Sequence, residues 1–263
     1  PSLNLLRQYF SDDYIGWVVC DKSSSLLIDE KKINKTFVLS NKFPKSICQD
    51  YQVISELYKI KWDIIIDYQN IFKSLILRFF LRGSVYTYHY NNCYLLEEKI
   101  SYYFSHYSAN FIQAESIIEQ ELKLTQYICH KNSDKKIDKL YFDLNFDFKV
   151  DCKNKIDNWL NDNNLSTFIV LAPNTSRPEK KWNKNNWINL ITRLNNKNIV
   201  IIGSNLDSYT LEISNFVKHT DNMLIAPNFD LRETGYLLTK SKLVISHDSC
   251  IIHLANILNC NVL

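Results

Sequence analysis

Two stretches in the second half of the chain combine the residue types that hold a phosphate. Ala172 to Trp187 (APNTSRPEKKWNKNNW) supplies the hydroxyls of Thr175 and Ser176, the cations Arg177, Lys180 and Lys181, and then the opening of a helix. A diphosphate is met by such a mixture of hydroxyl donors and point charges. The same composition also describes a solvated polar loop with Trp182 packed over it as a lid. Ser246 to Leu258 (SHDSCIIHLANIL) puts Asp248 and Ser249 where a strand turns into a helix, with His253 inside that helix. Exposed N–H groups at Ser249 and Cys250 could bind a phosphate that His253 also reaches. Equally, Asp248 or Ser249 could simply cap the helix, with His253 a core residue. His247 and His253 have no recognised metal-ligand spacing.

Other junctions carry weaker signals. GSNLDSY, Gly203 to Tyr209, follows a strand, and its Asp207 could contact a ribose or only complement the helix dipole. APNFDLRE, Ala226 to Glu233, reads as a capped loop bordering the nucleotide. In the first half, Asp67 ends a strand, where it could face a ligand or cap the next helix. The chain contains no HExxH, GxSxG, P-loop or EF-hand pattern.

The elements that must position these residues alternate between short apolar runs and helical spacing. In the first half Leu3–Phe10, Val53–Lys61 and Ile71–Leu81 read as helices, and Tyr14–Cys20, Thr36–Leu39 and Asp63–Asp67 as strands. Tyr86 to Leu124, rich in Tyr and Phe, reads as mostly helical, and Leu140–Phe148 alternates like a strand. A second series follows, with helices at Lys153–Leu160, Lys184–Leu194, Asp207–Lys218, Asp230–Lys240 and Ser249–Leu258. Between them lie strands at Thr167–Leu171, Asn198–Ile202 and Leu243–Ser246. Asp230 and Glu233 form a capping-box pattern. Strands separated by helices imply βα units and parallel sheets. The expected organisation is α/β, two Rossmann-like domains, 1–148 and 149–263, with ligands collecting beyond the carboxyl ends of the strands.

Composition bounds the partners. At 46% hydrophobic, the 263 residues can bury the cores of two such domains. A net charge of +3 is too mild for a nucleic-acid-binding stripe and permits, without demanding, contact with an anionic membrane surface. The 7 cysteines are widely spaced, which suits reduced thiols and a cytoplasmic setting. The apolar stretch Ile71–Leu81 is interrupted by Lys73 and Arg78 and is too short to span a bilayer. The chain opens directly on a helix and stops at Asn261-Val262-Leu263 as a further strand begins. Truncation at both ends is therefore expected.

Together these segments resemble glycosyltransferase family 9, the lipopolysaccharide heptosyltransferases. P-N-T-S followed by K-K-W-N resembles the family's phosphate loop, with Lys180 on its basic position. NIVIIGSNLDS resembles its strand-glycine-acid segment, which puts Asp207 on the acidic position. LVISHDSCIIHLANIL resembles the signature D-S/T-G-x-x-H-L-A, with Asp248, Ser249 and His253 in place and Cys250 where Gly is usual. PSLNLLRQYFSDDYIGWVV and WDIIIDYQNIFKSLILRFFLRG resemble a βα unit of the first domain and the helix after it.

The resemblance implies a glycosyltransferase B fold, with donor on the second domain and acceptor on the first. It implies inverting transfer of a heptose, or a related sugar, from an ADP-sugar to a lipid A–core oligosaccharide. The implied donor site is Thr175, Ser176, Lys180, Asp207, Asp248, Ser249, Cys250 and His253, with no metal and no cofactor. The catalytic base is expected on a Gly-Asp loop preceding Pro1, so the chain as it stands is expected to be inactive in transfer. The enzyme is expected in the cytoplasm, peripheral at the inner membrane. The alternative is a degenerate member that binds nucleotide or serves as a scaffold, for which the Cys250 change and the missing base argue.

Overall fold

The computed structural model describes residues 1–28, 30–90, 100, 103–111, 117–135, 147–175, 178–203, 208–217 and 222–263. The chain divides into two compact units, Pro1–Asp143 and Leu144–Leu263.

In the first unit, α1 (Ser2–Tyr9) leads to β1 (Gly16–Cys20), a short α2 (Asp21–Ser24) and β2 (Lys35–Leu39), which pairs with β1 in parallel. Helix α3 (Tyr51–Lys59) and β3 (Lys61–Ile66) follow, then α4 (Phe72–Arg78) and β4 (Arg82–Tyr90). β4 is the middle strand of a parallel sheet, between β3 and β5 (Tyr107–Phe111). Helix α5 (Ile117–Asn132) buries Gln120, Leu124, Thr125, Ile128 and Cys129. That spacing of four and five forms one helical stripe. Leu124 and Ile128 pack on Tyr86, and Cys129 meets Leu5, Leu6 and Tyr9 of α1.

One sequence expectation changes here. Tyr86 to Leu124 was expected to be mostly helical, yet Arg82–Tyr90 and Tyr107–Phe111 are strands. Val85, Tyr86 and Thr87 are all buried, so β4 is covered on both faces and loses the alternation that marks a half-exposed strand. Its aromatic and β-branched residues suit the pleated surface, and partners at Ile64–Ile66 and Tyr107–Phe111 supply the hydrogen bonds. Gly83 is needed for the fit to β3. A Cβ there would lie 2.1 Å from the Trp62 carbonyl oxygen, a backbone atom that cannot step aside. The strand expected over Leu140–Phe148 falls largely outside the described residues, and Asp147–Lys149 have no regular structure.

In the second unit, α6 (Val150–Asp162) precedes β6 (Ile169–Ala172). Then come α7 (Lys184–Arg193), β7 (Ile199–Ile201), α8 (Ser208–Val217), β8 (Met223–Ile225), α9 (Leu231–Lys240), β9 (Leu243–Ser246) and α10 (Cys250–Ile257). The strands run parallel in the order β8-β7-β6-β9, and Val262 bridges to Val244 on the far side of β9. β8 carried no strand signal in the sequence, being only 3 residues long and partly exposed. Ile169, Leu171, Ile199, Ile201 and Ile245 point to one face, where Trp187 and Ile191 of α7 and Ile213 of α8 cover them. Val170, Val200 and Val244 alternate with these and are equally inaccessible, as a sheet buried on both faces requires. The Asp230–Glu233 capping box forms as its spacing predicts, Asp230 accepting from the Glu233 N–H at 2.8 Å.

Candidate functional site

The strand order fixes where a ligand can sit. From β6 the chain moves outward to β7 and β8, then returns to lay β9 on the other side of β6. The loops leaving β6 and β9 therefore diverge from adjacent strand ends, the usual ligand position in an open parallel sheet. These are the two stretches whose composition suits a phosphate.

They meet through side chains. Lys180 closes a single 3-10 turn, Pro178–Lys180, and its Nζ forms an ion pair with Asp248 Oδ2. Asp248 Oδ1 lies 3.5 Å from His253 Nε2 on the first turns of α10. All three side chains reach solvent, at 35% for Lys180, 59% for Asp248 and 62% for His253, so an incoming ligand can reach each of them. His253 is thus exposed rather than a core residue. Thr175 is buried, with its hydroxyl 3.5 Å from the Asp248 carbonyl, so it braces one loop against the other.

Ser249 is the N-cap of α10, its Oγ accepting from the Ile251 N–H at 3.3 Å. Capping leaves the positive end of the helix open to an anion, since one side chain satisfies only one of the first N–H groups. Cys250 begins the helix and is exposed. Ser176 and Asp207 lie outside the described residues.

His247, considered in the sequence only as a metal ligand, has another role. Its Nε2 accepts the Trp182 backbone N–H at 2.8 Å, tying the two loops together. Burial holds its pKa below the ordinary imidazole range; the Pro173 backbone opposes that shift and the Lys181 charge reinforces it. The ring stands edge-on to Trp187 at 5.2 Å. A polar residue directly after a buried strand, beside the site acid, was the available signal. Among the described residues, no group of three or more His, Cys, Asp or Glu could hold a metal ion.

Asp67 departs from expectation. It neither faces a ligand nor caps α4. It is 6% exposed, with Oδ1 accepting from the Gln69 and Asn70 N–H groups, both at 3.0 Å, and Oδ2 3.4 Å from Arg78 Nε. Asn70 adopts φ 48° in the turn that results. A carboxylate at the end of a buried strand has no water to solvate it, so it turns to backbone donors and to a buried cation.

Parallel α/β units with a cation, a carboxylate and a capped helix start at the strand-order reversal are the architecture of a Rossmann-like protein that takes a phosphate-bearing ligand. The solved structures agree in fold. A glycosyltransferase family 9 protein from Veillonella parvula superposes with a TM-score of 0.76 at 14% identity, over 99% of this chain and 74% of that one. The E. coli heptosyltransferase WaaC, solved with ADP, gives 0.72 at 16% identity, over 99% and 80%. By sequence, lipopolysaccharide heptosyltransferase 1 of Campylobacter coli is 26% identical over 270 aligned positions, 98% of this chain and 76% of that protein. The model of glycosyltransferase family 9 (heptosyltransferase) matches residues 51–263. The chain belongs to that family.

Proposed function

We propose that the second unit binds a nucleoside-diphosphate sugar, ADP-heptose in particular, and that the protein transfers the heptose to a lipopolysaccharide core acceptor with inversion. The supporting observation is the meeting of Lys180, Asp248 and His253 beyond the carboxyl ends of β6 and β9. In an inverting displacement, a base removes the proton of the acceptor hydroxyl as its oxygen attacks the anomeric carbon. The bond to the diphosphate breaks on the opposite face, and charge grows on the leaving oxygen. Lys180 and the open N–H groups of α10 are suited to neutralise it, each charged hydrogen bond being worth roughly 1.5–3 kcal/mol. Asp248 holds Lys180 before the donor arrives and can then accept from sugar hydroxyls. Asp67, buried against Arg78, is unsuited to act as the base.

ADP is the preferred nucleotide because a relative of this fold, WaaC, was solved with it. Ser176 and Asp207 belong to this reading through their positions in the family motifs. Among the described residues no helix is long and apolar enough to cross a membrane. The scaffold alternative draws no support from relatives that are themselves heptosyltransferases. Calorimetry on the chain with ADP, UDP and GDP tests the proposal. Binding of ADP ahead of the others is expected; no heat from any of them at millimolar concentration sinks it.

A further inference from the structure

Trp182 lies two residues beyond Lys180, and both polar groups of its backbone are held by side chains from neighbouring strand-to-helix junctions. Its N–H donates to His247 Nε2 at 2.8 Å, from the loop after β9. Its carbonyl accepts from the Tyr209 hydroxyl, at the start of α8. The indole does not anchor the loop by burial, being 45% exposed. It rests edge-on against Trp187 at 5.4 Å, and Trp187 is 1% exposed and set in the core of the unit. Lys181 extends over the Tyr209 ring, 4.9 Å from its centroid, and so turns away from Asp248, which Lys180 takes.

We infer that His247 and Tyr209 form a two-sided clamp on the Trp182 backbone that stations Lys180 against Asp248, making them positioning residues for the donor diphosphate. The inference rests on the donor site proposed above. Its physical basis is the difference between a free and a held lysine. A flexible four-carbon stem loses rotamer freedom when it meets a phosphate, and a backbone fixed two residues away removes part of that loss beforehand. Side chains from the loop after β9 and from the first turn of α8 thus hold the backbone of one residue in the β6 loop, so movement of either is felt at Lys180.

The clamp has a proton requirement. To accept an N–H, Nε2 must be bare, so the neutral ring carries its proton on Nδ1. A protonated ring would present N–H to N–H and release Trp182. The charge that acts on the ring is Lys181 in the β6 loop; Asp248, next in the chain, is paired with Lys180 and His253, and Tyr209 on α8 holds the other side of Trp182. Because the folded-state pKa is lowered, the neutral, clamping form prevails at neutral pH and is lost only as pH falls below the usual imidazole range.

The test uses the whole chain and three variants: His247→Ala, Tyr209→Phe and His247→Gln, whose Oε1 can replace Nε2 as an acceptor that does not titrate. Three quantities are read at pH 7.5 and 5.5: hydrogen exchange of the Trp182 amide, labelling of Lys180 by an amine reagent, and calorimetric affinity for ADP. His247→Ala and Tyr209→Phe should speed labelling of Lys180 and weaken ADP binding about two- to tenfold, the contribution of one neutral hydrogen bond. His247→Ala should also expose the Trp182 amide. His247→Gln should restore all three at pH 7.5 and, having no proton to gain, hold the Trp182 amide at least as well as wild type at pH 5.5. Should His247→Ala fail to fold, Tyr209→Phe, at a half-buried position, carries the same expectations for Lys180 and ADP. A Trp182 amide still protected in His247→Ala, or exposed with Lys180 reactivity and ADP affinity unchanged, overturns the clamp. If wild type binds no ADP, the donor reading fails, while the amide and Lys180 readouts still decide whether the clamp exists.

Discussion

Lys180 and Asp248 form an ion pair between the loops that leave two adjacent parallel strands, β6 and β9. The pair is partly solvated, with 35% and 59% of the side chains exposed, and such pairs contribute only about 0–1 kcal/mol to stability. Its value lies in where it keeps a cation, at the open end of α10.

Lys180→Ala is therefore expected to leave the melting temperature nearly unchanged while weakening ADP binding by roughly 1.5–3 kcal/mol, the scale of a charged hydrogen bond. Lys181→Ala should cost less, because Lys181 is directed over the Tyr209 ring. Calorimetry on both variants gives the comparison, and equal losses would show that the wrong lysine has been assigned to the phosphate.

Cys250 offers a chemical probe of the same place. It is exposed at the first residue of α10, and Cys48 in the first unit is also exposed. Iodoacetamide followed by mass spectrometry should label both, and saturating ADP should protect Cys250 alone. Unchanged labelling of Cys250 under ADP saturation would put the phosphates elsewhere.

The Asp67–Arg78 pair belongs to stability rather than chemistry. Both side chains are 5% exposed, and breaking a buried pair by removing one partner typically costs about 3–5 kcal/mol. Arg78→Ala should unfold the first unit at a clearly lower denaturant concentration and leave ADP affinity alone. Replacing both, as Asp67→Asn with Arg78→Met, should recover part of the loss. A single variant as stable as wild type would mean the pair is relieved by water.

Alkaline pH should weaken the first unit. Burial pushes the Cys129 thiol up to about 12 from its ordinary 9.0, and Tyr68 moves upward for the same reason. The unfolded thiol ionises first, so the unfolded state is favoured as pH climbs from 9.0 toward about 12. Stability present below pH 9.0 is then lost at up to about 1.4 kcal/mol per pH unit for each such group. Urea midpoints measured between pH 8 and 11 should fall, less steeply in Cys129→Ala. A Cys129→Ala slope equal to that of wild type would assign the effect to Tyr68.

Much of the local structure was legible in the sequence because its causes are local. The 3.6-residue spacing of α3 and α7, the apolar run of β6, the Asp230–Glu233 box and the cap at Ser249 each depend on residues a few positions apart. The phosphate loops could be found for the same reason, since hydroxyls, lysines and a helix start lie together along the chain. The alternation of strands and helices implied parallel sheets, but which strands pair is nonlocal and was not legible. β4 looked helical until partners on both sides supplied its hydrogen bonds, and β8, only 3 residues long, has too few positions to show a period. The order β8-β7-β6-β9 is likewise what brings Lys180 beside Asp248, 68 positions later, and His247 to the Trp182 peptide. Asp67 carried the same letter and the same strand-end position as a ligand-facing acid would. Only the buried Arg78 guanidinium, delivered by the helix after it, turned that carboxylate inward, because a charge removed from water must take the partner that packing gives it.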